Sequence, residues 1–165
     1  MRSSPRRLRR IRVRRLVRAP VEVVWDALAD IGAHVEWMAD AERIQFTSSI
    51  EEGVGTTFDC ATKVGPIRLV DRMEITEWVP EQLMAVRHHG VVRGEGAFTL
   101  VAHGGRTELV WEESLDFPWW LPARPAAFVL KQIWRANLRR FERTLGVATA
   151  RRGARRRARR RARPG

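Results

Sequence analysis

Apolar positions change their spacing twice along the chain. Ile11 and Val13 alternate with Arg10, Arg12 and Arg14, and Val17 closes the run, which is the pattern of a strand with one charged face. Arg15 breaks the alternation, and a bulge or a position at a cavity mouth would account for it. Val21, Val24, Trp25 and Leu28 then fall at i, i+3, i+4 and i+7, the spacing of one helix face. Pro20 suits the first helical position because its missing N–H leaves nothing unpaired there. Glu22 complements the positive helix end. The segment runs on to Trp37-Met38, long enough for a pair of short helices.

Beyond Trp37, Gly53, Gly55, Gly65-Pro66, Pro80, Gly90, Gly94 and Gly104-Gly105 separate short runs. Such spacing predicts consecutive antiparallel strands near 42–48, 56–64, 67–78, 83–89, 96–103 and 106–116. With residues 9–18 they make seven. The period then returns to that of a helix from about Pro125 to Leu145. Ala127, Leu130, Trp134, Leu138, Phe141 and Leu145 form its stripe, with Lys131, Arg135, Arg139 and Glu142 off it. The class is α+β, and a curved sheet gripping a long helix leaves space between them.

Turn length sets hairpin register. A two-residue turn at Gly104-Gly105 places Leu100 opposite Leu109, Phe98 opposite Trp111 and Gly96 opposite Glu113. One at Gly65-Pro66 places Thr62 opposite Leu69, Cys60 opposite Asp71 and Phe58 opposite Met73. A four-residue loop from Val79 to Gln82 pairs Ile75 with Val86 and Met73 with His88. The apolar residues of all three hairpins then share one face, toward the long helix. Cys60, Asp71, His88 and Glu113 interrupt that face.

Charge divides the chain further. Residues 1–18 and 147–165 each carry nine Arg and no acid, whereas 19–146 hold thirteen basic and nineteen acidic residues, a net charge of −6. The pI of 11.6 therefore describes the ends. We read a basic extension at 1–8, one domain at 9–146 and a disordered or transiently helical Arg-rich tail at 147–165. Arg155, Arg156, Arg157, Arg159, Arg160 and Arg161 would attract phosphates of nucleic acid or anionic lipid heads. The tail has no aromatic residue for base stacking, and simple solvation is the plain alternative. Cys60 is the only cysteine, so no intrachain disulfide forms. No apolar run has the length of a signal peptide or a membrane span, and the expected location is cytoplasmic, with a peripheral membrane position as a variant.

Arg18-Ala19-Pro20, Glu22, Val24-Trp25, Leu28, Asp30 and Trp37, then Gly53-Val54-Gly55-Thr56, Trp78-Val79-Pro80 and Gly105-x-Thr107, give a pattern that resembles the START-like (Bet v 1-like, SRPBCC) superfamily. The nearest likeness is to its bacterial polyketide cyclase/dehydrase-like branch, over residues 9–146. The resemblance implies a helix-grip fold: a seven-stranded curved antiparallel sheet around a long C-terminal helix, with two short helices after the first strand. It also implies a cavity for a hydrophobic small molecule such as a lipid, polyketide or isoprenoid. Trp37, Phe58, Cys60, Leu69, Asp71, Met73, His88, Phe98, Leu100, Trp111, Glu113, Leu130, Trp134 and Leu138 would form its wall. Trp119 and Trp120, among three helix-breaking prolines, would stand at its mouth. Val21, Val24, Trp25 and Leu28 would close the pocket end of the sheet.

Chemistry is sparsely written. Cys60, Asp71 and His88 lie on three successive strands spaced ~4.8 Å, so Cys60 and His88 stand too far apart for a nucleophile and its base. An Asp71–His88 diagonal pair remains, as acid/base or as ligand anchor. His88 and His89 point to opposite faces and cannot share a metal. His34 and His103 have no ligand spacing with Cys60, and neither metal nor cofactor is expected. Gly53-Val54-Gly55 lacks the third glycine of a dinucleotide loop. The leading expectation is binding or transport of a hydrophobic molecule. One alternative is a cyclase/dehydratase-type enzyme using Asp71, His88 or Glu113. The other is an adaptor held to membrane or nucleic acid by its tail. Nothing in the pattern encodes an oligomeric state.

Overall fold

A computed structural model describes residues 7–161 of the chain, and their side chains over 8–146. Strand β1, Arg7–Val17, leads into helix α1, Val21–Ala29, and a 3-10 helix, Ile31–Glu36. Six strands follow: β2 Ala41–Phe46, β3 Thr57–Val64, β4 Ile67–Val79, β5 Leu83–His89, β6 Arg93–His103 and β7 Arg106–Phe117. Helix α2, Ala123–Arg161, ends the described chain. The strands form one antiparallel sheet in the order β1-β7-β6-β5-β4-β3-β2. The sheet curves around α2, as the helix-grip reading predicts.

The hairpin registers are those predicted. Phe98 faces Trp111 and Gly96 faces Glu113 across β6–β7. Cys60 faces Asp71 across β3–β4. Gly104 and Gly105 have φ of 51° and 81°, conformations that glycine adopts without a side-chain clash. The β4–β5 register is reached by another route than expected. Val79 pairs with Leu83, so the loop has three residues, and a bulge between Ile75 and Glu77 restores Ile75 to Val86 and Met73 to His88. An extra residue in one strand offsets the shorter loop. Gly94, expected as a turn, lies inside β6.

Pro20, expected as the first helical residue, is the N-cap of α1, and the helix begins one position later at Val21. The Pro20 carbonyl accepts hydrogen bonds from the amides of Val23 and Val24. Val24, Trp25 and Leu28 are buried, each burial worth roughly 2 kcal/mol. Trp25 meets Trp78 edge to face at 5.2 Å. Thr107 donates to the Ala19 carbonyl at 2.8 Å, tying the β7 start to the β1–α1 junction. On α2, Trp134, Leu138, Phe141 and Leu145 are buried as the stripe predicts.

Arg15 needs neither bulge nor mouth. Its strand runs in unbroken register with β7, and Arg15 faces inward. There its Nε donates to Glu142 of α2 at 2.6 Å, and its guanidinium also pairs with the same carboxylate. Helix α2 does not stop near Leu145 as expected but continues to Arg161. Ala and Arg are strong helix formers, and Gly146 and Gly153 cost only about 1 kcal/mol each in a helix interior. The side chains of the six tail arginines, and residues 1–6 and 162–165, lie outside the described residues.

Candidate functional site

A cavity of about 390 Å³ lies between the concave face of the sheet and α2. Alternation along the strands builds its wall. Phe58 and Cys60 of β3, Leu69, Asp71 and Met73 of β4, His88 of β5, Phe98 of β6, and Trp111 and Glu113 of β7 all face it, with Leu130 and Trp134 of α2 opposite. Trp111 and Trp134 stack at 4.5 Å, joining sheet to helix. Eleven of the fourteen residues expected on the wall are therefore there.

The other three are not. Trp37, Leu100 and Leu138 are buried in the solid part of the core instead. Trp37 packs on Phe141 at 4.9 Å, filling the space it was expected to line. Helix α1 also contributes nothing to the wall. It packs on β6, β7 and α2, and the 3-10 helix supplies Ile31 and His34 to the cavity. Near α2, Phe117, Leu121 and Pro122 line the cavity, whereas Trp119 and Trp120 are exposed and stand outside it. Their prolines hold that segment in irregular backbone, so the two rings take no place in the apolar lining. Val70, Val91 and Val129 line the cavity and are also exposed, which marks its opening between β4, the β5–β6 turn and α2.

The polar residues on the wall converge. His88 Nδ1 donates to Asp71 Oδ2 at 2.5 Å, and Asp71 Oδ1 accepts the Gly90 amide at 3.2 Å. On its other side, His88 Nε2 lies 2.9 Å from Glu113 Oε2. That distance suits a hydrogen bond but the alignment does not, so the contact is an ion pair that leaves both Nε2 and Oε2 without a hydrogen-bond partner. Glu113 Oε1 accepts from Trp111 Nε1 at 2.8 Å. Burial alone would lower the imidazole's pKa, but Glu113 and Asp71 outweigh it and hold it up to about 10.

His88 and Glu113 belong to strands separated by β6. They meet because β6 offers no side chain between them. His88 is opposite Gly94 and Glu113 is opposite Gly96. A Cβ on Gly96 would lie 2.8 Å from Glu113 Cδ. The Asp71–His88 pair was legible in the register, but its extension to Glu113 was not. The signal was Gly94-x-Gly96, two glycines on the same face of one strand.

A second polar group was missed altogether. Asp40 accepts from Asn137 Nδ2 at 2.7 Å, and Asn137 Oδ1 accepts the Ala39 amide at 3.0 Å. Burial pushes the Asp40 carboxyl above its ordinary value, against the Asn137 hydrogen bond. A polar residue beside Trp134 and Leu138 on the apolar stripe was the available signal. His34 donates Nε2–H to the Leu28 carbonyl at 2.8 Å, and burial drives its pKa down to about 4. Burial raises the Cys60 thiol to about 11, which removes it as a nucleophile at neutral pH.

Comparison with known proteins agrees with this architecture. The family described as polyketide cyclase / dehydrase and lipid transport matches residues 9–146. An uncharacterized protein of Mycobacterium tuberculosis (strain ATCC 25618 / H37Rv) is 32% identical over 129 residues, 75% of this chain and 74% of its own. Among solved structures, the Zhui aromatase/cyclase from Streptomyces sp. R1128 superposes with a TM-score of 0.70 at 17% identity, covering 85% of this chain and 94% of that one. A START superfamily protein from Mycobacterium smegmatis gives 0.74 at 11% identity, covering 84% and 98%. At such identities the structural likeness concerns the fold.

Proposed function

The chain belongs to the polyketide cyclase / dehydrase and lipid transport family, and from that premise we propose that it binds or carries a hydrophobic small molecule between its sheet and α2. The observation that carries this reading is the cavity: about 390 Å³, apolar over most of its wall, with a few polar side chains gathered around His88 and at Asp40. Ligand sites have this composition, because apolar contact supplies affinity and a few placed polar groups supply orientation. Lipids, polyketides and isoprenoids all fit that description. Native mass spectrometry after mild purification is expected to show a co-purified apolar molecule. Nile red, a neutral apolar dye, is expected to bind with a blue-shifted emission. Absence of both would overturn the reading.

Cyclase or dehydratase-type chemistry is the second reading, favoured by a histidine between two carboxylates inside the cavity. An imidazole that holds its proton up to about pH 10 is no general base at neutral pH. The imidazolium therefore serves such a reaction as a proton donor or an electrostatic anchor, and any base in the cluster is one of its carboxylates. The Arg-rich segment at 147–165 lies beyond the family match, and we assign it a separate, salt-sensitive attraction to a polyanionic surface.

A further inference from the structure

All thirteen Trp and Phe side chains of the protein are described, and ten of them are buried or half-buried. The three that are exposed, Trp119, Trp120 and Phe128, stand together just before and in the first turns of α2. Exposed apolar residues scattered singly are ordinary, but large aromatic ones gathered in one place mark a contact surface. Trp119 is 88% exposed and Phe128 65%. This surface borders the cavity mouth. Leu121 and Pro122, beside the two Trp, line the cavity, and Val129, beside Phe128, is exposed at its opening. Charge sets the same corner apart. Residues 117–141 hold five basic residues and no acid, whereas 19–116 hold seven basic and eighteen acidic ones. Arg124, Arg135 and Arg139 share the exposed side of α2 with Phe128.

We propose that this face docks on an anionic lipid bilayer with the cavity mouth toward the lipid, so that an apolar ligand passes between bilayer and cavity without crossing water. The docking rests on the ligand-binding reading above and adds to it the source of the ligand. Trp side chains settle at the headgroup level, where the ring is in apolar surroundings and the indole N–H stays wet. Arginines on the same helix face meet the lipid phosphates. The net-acidic remainder of the domain is repelled by that surface, which leaves this face as the one that approaches it. A few apolar side chains alone give marginal membrane binding. The Arg-rich segment therefore supplies most of the attraction, and the mouth supplies orientation and insertion.

Vesicles of phosphatidylcholine and phosphatidylglycerol with brominated acyl chains, which quench nearby Trp emission, test the docking. The full chain is expected to sediment with them and to lose Trp emission as it does so. Trp119→Ala combined with Trp120→Ala is expected to remove most of that quenching. Phe128→Glu keeps both reporters and puts an acid in the face. It should still sediment through its tail but lose most of the quenching, with a wild-type melting curve and wild-type Nile red binding in the absence of vesicles. Sedimentation of the wild-type chain without quenching would overturn the docking and leave the cavity reading standing. Unchanged quenching in Phe128→Glu would also overturn it. A dimer that buries the two Trp and that Phe128→Glu dissociates would assign the face to a second copy of the chain instead. Quenching without any Nile red binding would overturn the ligand reading and the passage of ligand with it.

Discussion

His88 carries the largest electrostatic load of any side chain in the cavity, and its behaviour with pH follows from its two neighbours. Its folded-state pKa lies above that of the unfolded chain. The stabilisation from the Asp71–His88–Glu113 cluster is therefore complete below the ordinary histidine value of 6.5 and is lost as the pH rises through about 10. Chemical denaturation across that range is expected to show a decline on the order of a few kcal/mol. In His88→Gln that decline should vanish. At neutral pH the same variant leaves two buried carboxylates facing each other without a cation, at a cost of about 3 kcal/mol. A wild-type curve flat from pH 6.5 to 10 would reject this account. Asp71 and His88 were readable as a pair because the strand register puts them on neighbouring strands. Asp40 was not readable, because it sits in a turn with no period and its partner Asn137 lies 97 positions away.

Strand β6 is the element on which the site depends, through the side chains it lacks. Gly96→Ala is expected to push Glu113 from His88 and to cost about 1–3 kcal/mol, with weaker ligand binding and an intact fold. Gly94→Ala is expected to be worse. Its Cβ would stand 2.0 Å from the Ser114 carbonyl oxygen, a backbone atom in the paired strand, and its φ of 152° disfavours a side chain. Thermal melts of the two variants should rank in that order, and the reverse order would refute the argument. Helix α2 is held to the sheet edge by a different device. Arg15, like Arg9, is a charged residue on the inner face of β1, and its partner there is Glu142. The pair is partly solvent-exposed, so a double-mutant cycle with Arg15→Ala and Glu142→Ala should give a coupling of only about 1 kcal/mol. A coupling of zero would make the pair incidental. The first strand, the first helix and the stripe of α2 were plain in the periodicity, since each is a local pattern over a few turns or residues. The end of α2 was not, because Ala and Arg continue a helix without any apolar face to mark it.

At the scale of the whole molecule, charge divides a net-acidic middle from strongly basic ends, and the two roles proposed above divide with it. Truncation of residues 147–165 is expected to leave Nile red binding and the melting temperature of the domain within error. It should abolish binding to vesicles containing anionic lipid, which in the full chain weakens as salt is raised. Retention of vesicle binding by the truncated chain would show that the tail is not the attachment. The sequence by itself determined the order of elements, the class of fold and the faces of the strands. Those follow from periodicity and from turn residues such as Gly104-Gly105, whose effects reach only a few positions along the chain. Even the β4–β5 hairpin kept its inner register, with the bulge beside Ile75 compensating for its shorter loop. Only the tertiary structure decided that Trp37, Leu100 and Leu138 fill the core while Phe58 and Trp134 face an open space. It alone brought Glu113 past β6 to His88, and Glu142 to Arg15 across 127 positions. Those contacts depend on how strongly the sheet curves and where α2 lies across it, and no local pattern records either.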